Sequence, residues 1–103
     1  MSKENITNPT PEQIMGWKEK YKTVHKLTIE GKTAYLRKPN RRTLSLAMTK
    51  ISKGDIIGGS EAILENCWLG GDTEIKTDDD LFMSAVGKVG DLIQVKEAEL
   101  EKL

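Results

Sequence analysis

The chain predicts an α+β domain in which one β-hairpin packs with about four helices in the order α-β-β-α-α-α, and two features of its hydrophobic pattern carry that expectation. Apolar residues recur at helical spacing from Ile14, switch to strict alternation at His25, Leu27 and Ile29, and return to helical spacing from Leu44 onward. Helix-start and turn signals punctuate each change of period. A length of 103 residues suits one domain. Residues 1–9 are polar and aperiodic and are expected to form a flexible N-terminal segment, with residues 10–103 as the single domain. Only five residues are aromatic, so the core must be built from Leu, Ile, Val, Met and Ala.

Thr10-Pro11-Glu12-Gln13 combines a capping hydroxyl, a proline at the first helical position and a glutamine able to reach back to the cap. The helix it opens carries Ile14, Trp17 and Tyr21 on one face, which makes Trp17 a core anchor. From Thr23 the alternation sets His25, Leu27 and Ile29 against Lys26, Thr28 and Glu30, and Gly31 supplies a turn. A short loop at Glu30-Gly31 would place Leu27 opposite Ala34 and His25 opposite Leu36, so both strands present apolar faces in register. Pro39-Asn40 ends the second strand, and Asn40 caps a helix burying Leu44, Ala47, Met48 and Ile51.

Residues Lys53 to Gly59 read as a glycine-flanked loop holding Ile56 and Ile57. Ser60 then caps a third helix that runs through Leu69 and is stopped by Gly70-Gly71. A loop over Asp72–Lys76 follows. Thr77 caps the last helix, with Asp78, Asp79 and Asp80 favourably placed in its first turn against the helix dipole. That helix lines up Phe82, Ala85, Val86, Val89, Leu92, Ile93 and Leu100 as its buried stripe, and Gly87 and Gly90 suggest a bend or the close approach of another backbone. Glu97, Glu99, Glu101 and Lys102 make a solvated tail.

Net charge is zero but unevenly spread: residues 1–54 carry 12 Lys/Arg and 4 Asp/Glu, and residues 55–103 carry 4 and 12. The simplest consequence is attraction between the halves, within the fold or between subunits. No apolar leader or membrane-spanning run is present, and Cys67 is the lone cysteine, so a cytoplasmic location and a reducing compartment are expected. Within the apolar run Ala62–Leu69, Cys67 reads as a small buried side chain.

Catalytic signals are lacking. His25 is the only histidine and lies on an apolar strand face, which leaves the many hydroxyls without a base. The acidic residues at 72 and 78–80 lack the spacing of a calcium loop, and no phosphate-binding glycine loop occurs. Gly70-Gly71-Asp72-Thr73-Glu74 resembles the diguanylate cyclase signature only until Thr73 interrupts it. No enzyme activity, cofactor or metal is expected, which leaves macromolecule binding. Arg37, Lys38, Arg41 and Arg42 form the centre of a basic cluster with Lys26, Lys32, Lys50 and Lys53, the candidate nucleic-acid surface.

The element order, together with the stretches Tyr35-Leu36-Arg37, Glu65-Asn66-Cys67 and Asp79-Asp80-Leu81-Phe82, resembles the small tail assembly chaperones of long-tailed phages and prophages over residues 10–100. The resemblance implies a non-enzymatic protein of the host cell cytoplasm that binds a tape-measure protein and helps recruit tail-tube subunits. A chaperone for a long apolar helix needs adaptable grooves, which Met15, Met48, Met83, Trp68 and Leu69 can supply. Ile56 and Ile57 are the leading candidates for partner contact or homo-oligomer docking, with Trp68 and Leu69 beside them.

Overall fold

Thr10 opens the first helix as its sequence predicts. In the computed structural model, which describes residues 5–92 and 98–103, the Thr10 hydroxyl accepts from the Gln13 N–H at 3.2 Å and the Gln13 side chain accepts from the Thr10 N–H at 2.9 Å. This reciprocal cap satisfies two donors that the first turn would leave unpaired. The helix, α1 (Pro11–Tyr21), leaves none of its residues fully buried. Trp17 is therefore no core anchor. It is half-buried and packs on Tyr35, with ring centroids 6.0 Å apart.

At Lys22 the chain turns sharply, with φ 68° and ψ −47°, and the Thr23 N–H donates back to the Tyr21 carbonyl over 2.8 Å. Strands β1 (Val24–Ile29) and β2 (Lys32–Arg37) then pair antiparallel in the expected register, with Leu27 opposite Ala34 and His25 opposite Leu36. Glu30 and Gly31 between them both have positive φ, 47° and 80°. Two positive φ values in a two-residue loop match the right-handed twist of the strands, which is why such turns favour Asn-Gly. Ala34 and Leu36 of β2 face the core, and alternation turns Tyr35 to the opposite face, where Trp17 covers it.

Asn40 caps α2 (Arg41–Ser52) by accepting from the Thr43 N–H at 2.8 Å. Thr43 and Ala47 form the buried side of this helix, with Leu44 and Ile51 partly covered; Met48, expected inside, is exposed. The helix ends in a tight reversal in which the Gly54 N–H donates to the Ile51 carbonyl and the Asp55 N–H to the Lys50 carbonyl, with Gly54 at φ 88°. Asp55 immediately becomes a cap, accepting from the Gly58 N–H at 2.8 Å. The next helix, α3 (Ile56–Cys67), thus begins four residues before Ser60, and the loop expected around Ile56 and Ile57 is its first turn.

Gly58 and Gly59, which resemble a break in the sequence, both lie within α3: Gly58 sits against the Asp55 cap, and Gly59 has a packing reason. A Cβ on Gly59 would lie 2.6 Å from Ile51 Cγ1 and 2.9 Å from the Ala47 carbonyl oxygen. α2 and α3 can approach this closely only where no side chain intervenes.

Helix α3 stops at Cys67, not Leu69, and Trp68–Gly71 form a third strand, β3. It pairs antiparallel with β2, Ala34 opposite Gly71, Tyr35 opposite Gly70 and Leu36 opposite Trp68, with Leu69 as the extra residue of a bulge. The sheet order is β1-β2-β3. Gly71, at φ 130°, has no room for a side chain: a Cβ there would meet the Thr33 carbonyl oxygen at 2.3 Å.

Asp72 locks the strand end, its N–H donating to the Thr33 carbonyl and its carboxylate accepting from the Thr33 N–H, both at 2.8 Å. Where a loop is expected, the short helix α4 (Glu74–Thr77) places Ile75 fully inside. The cap of α5 (Asp79–Val89) is Asp78, one residue after the expected Thr77; it accepts from the Leu81 N–H at 3.0 Å. Asp79 and Asp80 stand in the first turn as expected.

α5 buries Ala85 and Val89, and a 3₁₀ turn over Gly90–Leu92 buries Leu92. Apart from their chain neighbours and the helix's own backbone, no atom of the described residues lies within 4 Å of a Cβ placed on Gly87 or Gly90. Ile93 and Glu97 lie outside the described residues. Leu100, expected on the buried stripe, is fully exposed.

The core joins Ala34 and Leu36 of the sheet to Ala47, Ile63, Leu64, Cys67, Ile75, Ala85, Val89 and Leu92, so α3, α4 and α5 cover one face of the sheet and α1 the other.

Two substitutions test this account. Gly59→Ala is expected to destabilise the protein by about 1–3 kcal/mol through overpacking, outweighing the roughly 1 kcal/mol that alanine gains in a helix; the urea midpoint should fall at unchanged slope. Glu30→Asn is expected to stabilise by about 0.5–1 kcal/mol by easing the left-handed turn, read as a higher midpoint in the same titration.

Candidate protein-binding surface

The tight turn between α2 and α3 determines where Ile56 and Ile57 lie. Asp55 starts the helix so abruptly that Ile56 falls three and seven residues before Gly59 and Ile63, on the face that is buried further along. Yet Ile56 is 61% exposed and Ile57 49%. The apolar face of α3 therefore extends past the covered core by one turn. Leu46 and Met48 of α2 are also exposed, placing four large apolar side chains on the surface of this helical hairpin. Leu46 shares a shallow surface with Arg41, Arg42, Ser45 and Thr49.

Trp68 and Leu69 occupy a different part of the fold, the edge strand β3, and both are half-buried. The Trp68 indole N–H donates to the Asn5 side-chain oxygen at 2.8 Å, while the Lys76 ammonium stands 4.4 Å above its ring centroid. Lys76 is held in turn by Glu65 at 3.7 Å. Trp68 is thus committed to contacts within the chain. Asn5 and Ile6 depart from the expected flexible segment: the Gly71 N–H donates to the Ile6 carbonyl at 2.8 Å, and the Asn5 amide donates to the Gly71 carbonyl at 2.7 Å. Nothing in the local sequence signals this contact, because it depends on a strand 63 residues away. Residues 1–4 lie outside the described residues.

The four basic candidates also separate. Arg37 is used internally, donating to the Asn66 carbonyl at the end of α3 over 2.9 Å and lying 5.4 Å from the Tyr21 ring centroid. Lys38, Arg41 and Arg42 are exposed and make no ion pair among the described residues. Arg41 and Arg42 occupy the first turn of α2, where positive charge opposes the helix dipole and no acidic residue offsets it. One ion pair among the described residues joins the basic half of the chain to the acidic half, Lys32 to Glu74 at 3.2 Å. Both partners are exposed, so the pair contributes at most about 1 kcal/mol.

Among the described residues, the reactive side chains do not converge. Cys67 is completely buried, and loss of solvation pushes its thiol pKa up, against a smaller downward pull from Arg37. That environment favours the unreactive thiol. His25 sits on the core side of β1 with a buried Nε2 that has no hydrogen-bond partner among the described residues. It lines a cavity of about 220 Å³ with Leu27, Leu36, Lys88, Val89 and Leu92. Among the described residues no three His, Cys, Asp or Glu side chains are grouped to hold a metal ion, and no helix is long and apolar enough to cross a membrane. Comparison with protein-family models, with curated proteins and with solved structures returns no match.

Proposed function

We propose that this protein is a non-enzymatic binding module whose α2–α3 hairpin receives an apolar helical segment of another protein. The observation that carries the reading is Ile56: it continues the buried face of α3 but has nothing over it among the described residues. Covering the exposed halves of Ile56 and Ile57 would contribute on the order of 2 kcal/mol, roughly thirtyfold in affinity. The exposed Met48 adds a side chain that adapts to irregular apolar surfaces. A tail assembly chaperone binding a tape-measure protein fits this chemistry, and the resemblance, carried by the α-β-β-α-α order from α1 to α3 but not by β3 and α4, gives that version its support.

A second reading has its own observation. Arg41 and Arg42 oppose the dipole of α2 without a carboxylate nearby among the described residues, a cost that a bound polyanion would offset. Nucleic acid binding through Lys38, Arg41 and Arg42 is therefore the alternative.

Co-expression with its own genomic neighbourhood, then affinity capture with and without nuclease, separates the two. Recovery of a long helical tail protein that resists nuclease and moderate salt is expected; recovery abolished by nuclease would replace this reading with the nucleic-acid one. Ile56→Asp combined with Ile57→Asp should abolish capture while circular dichroism stays unchanged, and undiminished capture would remove the hairpin from the interface. Arg41→Glu with Arg42→Glu should leave capture intact and stabilise the fold by about 1 kcal/mol through the helix dipole. Loss of capture in that variant would favour the polyanion reading.

A further inference from the structure

The open surface of α2 and α3 accounts for one part of the molecule; the edge of β3 shows a different kind of site. Three hydrogen bonds converge there on a dipeptide: Trp68 indole N–H to the Asn5 side-chain oxygen, Asn5 amide to the Gly71 carbonyl, and Gly71 N–H to the Ile6 carbonyl. The Asn5 side chain is read at both its acceptor and its donor, which an amide carries on two separate atoms. The backbone bond from Gly71 is the kind an added strand makes with a sheet edge.

Gly70 keeps the slot open. A Cβ at Gly70 would stand 2.5 Å from the Ile6 carbonyl oxygen and 3.2 Å from Trp17 Cη2, both belonging to the N-terminal part of the chain. The segment that fills the slot is lightly held. No residue of α1 is fully buried, and α1 is joined to β1 through Lys22 at a positive φ that disfavours any residue with a side chain. Release of the segment would uncover little core but leave the indole N–H and both Gly71 backbone groups without partners.

We propose that the β3 edge is a strand-acceptor slot that reads an asparagine side chain and the backbone carbonyl of the residue after it, filled in the closed chain by Asn5–Ile6 and filled in trans by the same dipeptide of a second copy. A second copy is the occupant that fits, because it restores each of the three bonds with identical groups. The exchanged and closed forms then differ only in the path of the chain at the Lys22–Thr23 turn, with α1 travelling with the segment, and in the loss of freedom on association.

Two full-length variants test this by complementation. Asn5→Ala has an empty slot and an ineffective segment, whereas Gly70→Ala has a blocked slot and an intact segment. Each alone should be monomeric at the 11.5 kDa of the chain, and an equimolar mixture should show species of twice that mass by light scattering coupled to size exclusion. A mixture that remains monomeric at millimolar concentration, or an Asn5→Ala protein that dimerises alone, would overturn the proposal. Should Gly70→Ala fail to fold by circular dichroism, Trp68→Phe replaces it, removing the indole donor and keeping the ring. Independently, a synthetic peptide of residues 3–10 should shift tryptophan fluorescence of Asn5→Ala saturably, and the same peptide with alanine for Asn5 should not. Equal responses to both peptides would also overturn it.

Discussion

Everything in this fold depends on β2 being the central strand of the sheet. Its core-facing residues, Ala34 and Leu36, are almost completely buried, so its backbone groups must find partners within the protein. β1 supplies one side through a two-residue turn, and β3 supplies the other from 31 residues further along the chain, between Arg37 and Trp68. That second pairing demands glycine, because the Gly71 backbone passes close to Thr33 and Ala34. The Asp72 carboxylate then closes the ladder where regular pairing ends.

With the sheet assembled, the helices divide by role. Ile75, Leu64 and Val89 are among the largest fully buried side chains, and they come from α4, α3 and α5, the elements that carry the core. α2 reaches the core through α3, and Gly59 makes that contact possible. Because the two helices meet where Gly59 faces Ala47 and Ile51, Ile56 projects beyond the contact instead of into it. The same geometry that packs the hairpin thereby produces its exposed apolar end, and the candidate partner surface is a consequence of how α2 and α3 fit.

Charge follows a different logic from packing. The 12-to-4 excess of basic residues before Asp55 and its reverse afterward predict extensive pairing between the halves, yet Lys32–Glu74 is the single such bridge among the described residues. Many acidic side chains instead answer local demands: Asp55 and Asp78 cap helices, Asp72 holds Thr33, and Asp79 and Asp80 complement a dipole. Arg37 likewise serves the fold, by donating to the Asn66 carbonyl near the end of α3. Arg41 and Arg42 serve no such purpose in the described structure, which distinguishes them from the rest of the basic cluster.

Sequence by itself determined the α+β class, through local periodicity, and the capping box at Thr10, the Asn40 cap and the hairpin register, because the caps and the register depend on residues near one another in the chain. It placed Ile56 and Ile57 outside the core but assigned them to a loop, since Gly58-Gly59 looks like a chain break until α2 is seen packed against it. Tertiary structure alone decided that Trp68–Gly71 would be a strand, since four residues with two glycines have no strand preference until β2 offers an edge. It likewise separated Trp68 from Ile56 as candidate contacts and joined Asn5 to β3. Those outcomes rest on pairings between distant segments, and such contacts leave no periodicity for a local reading to detect.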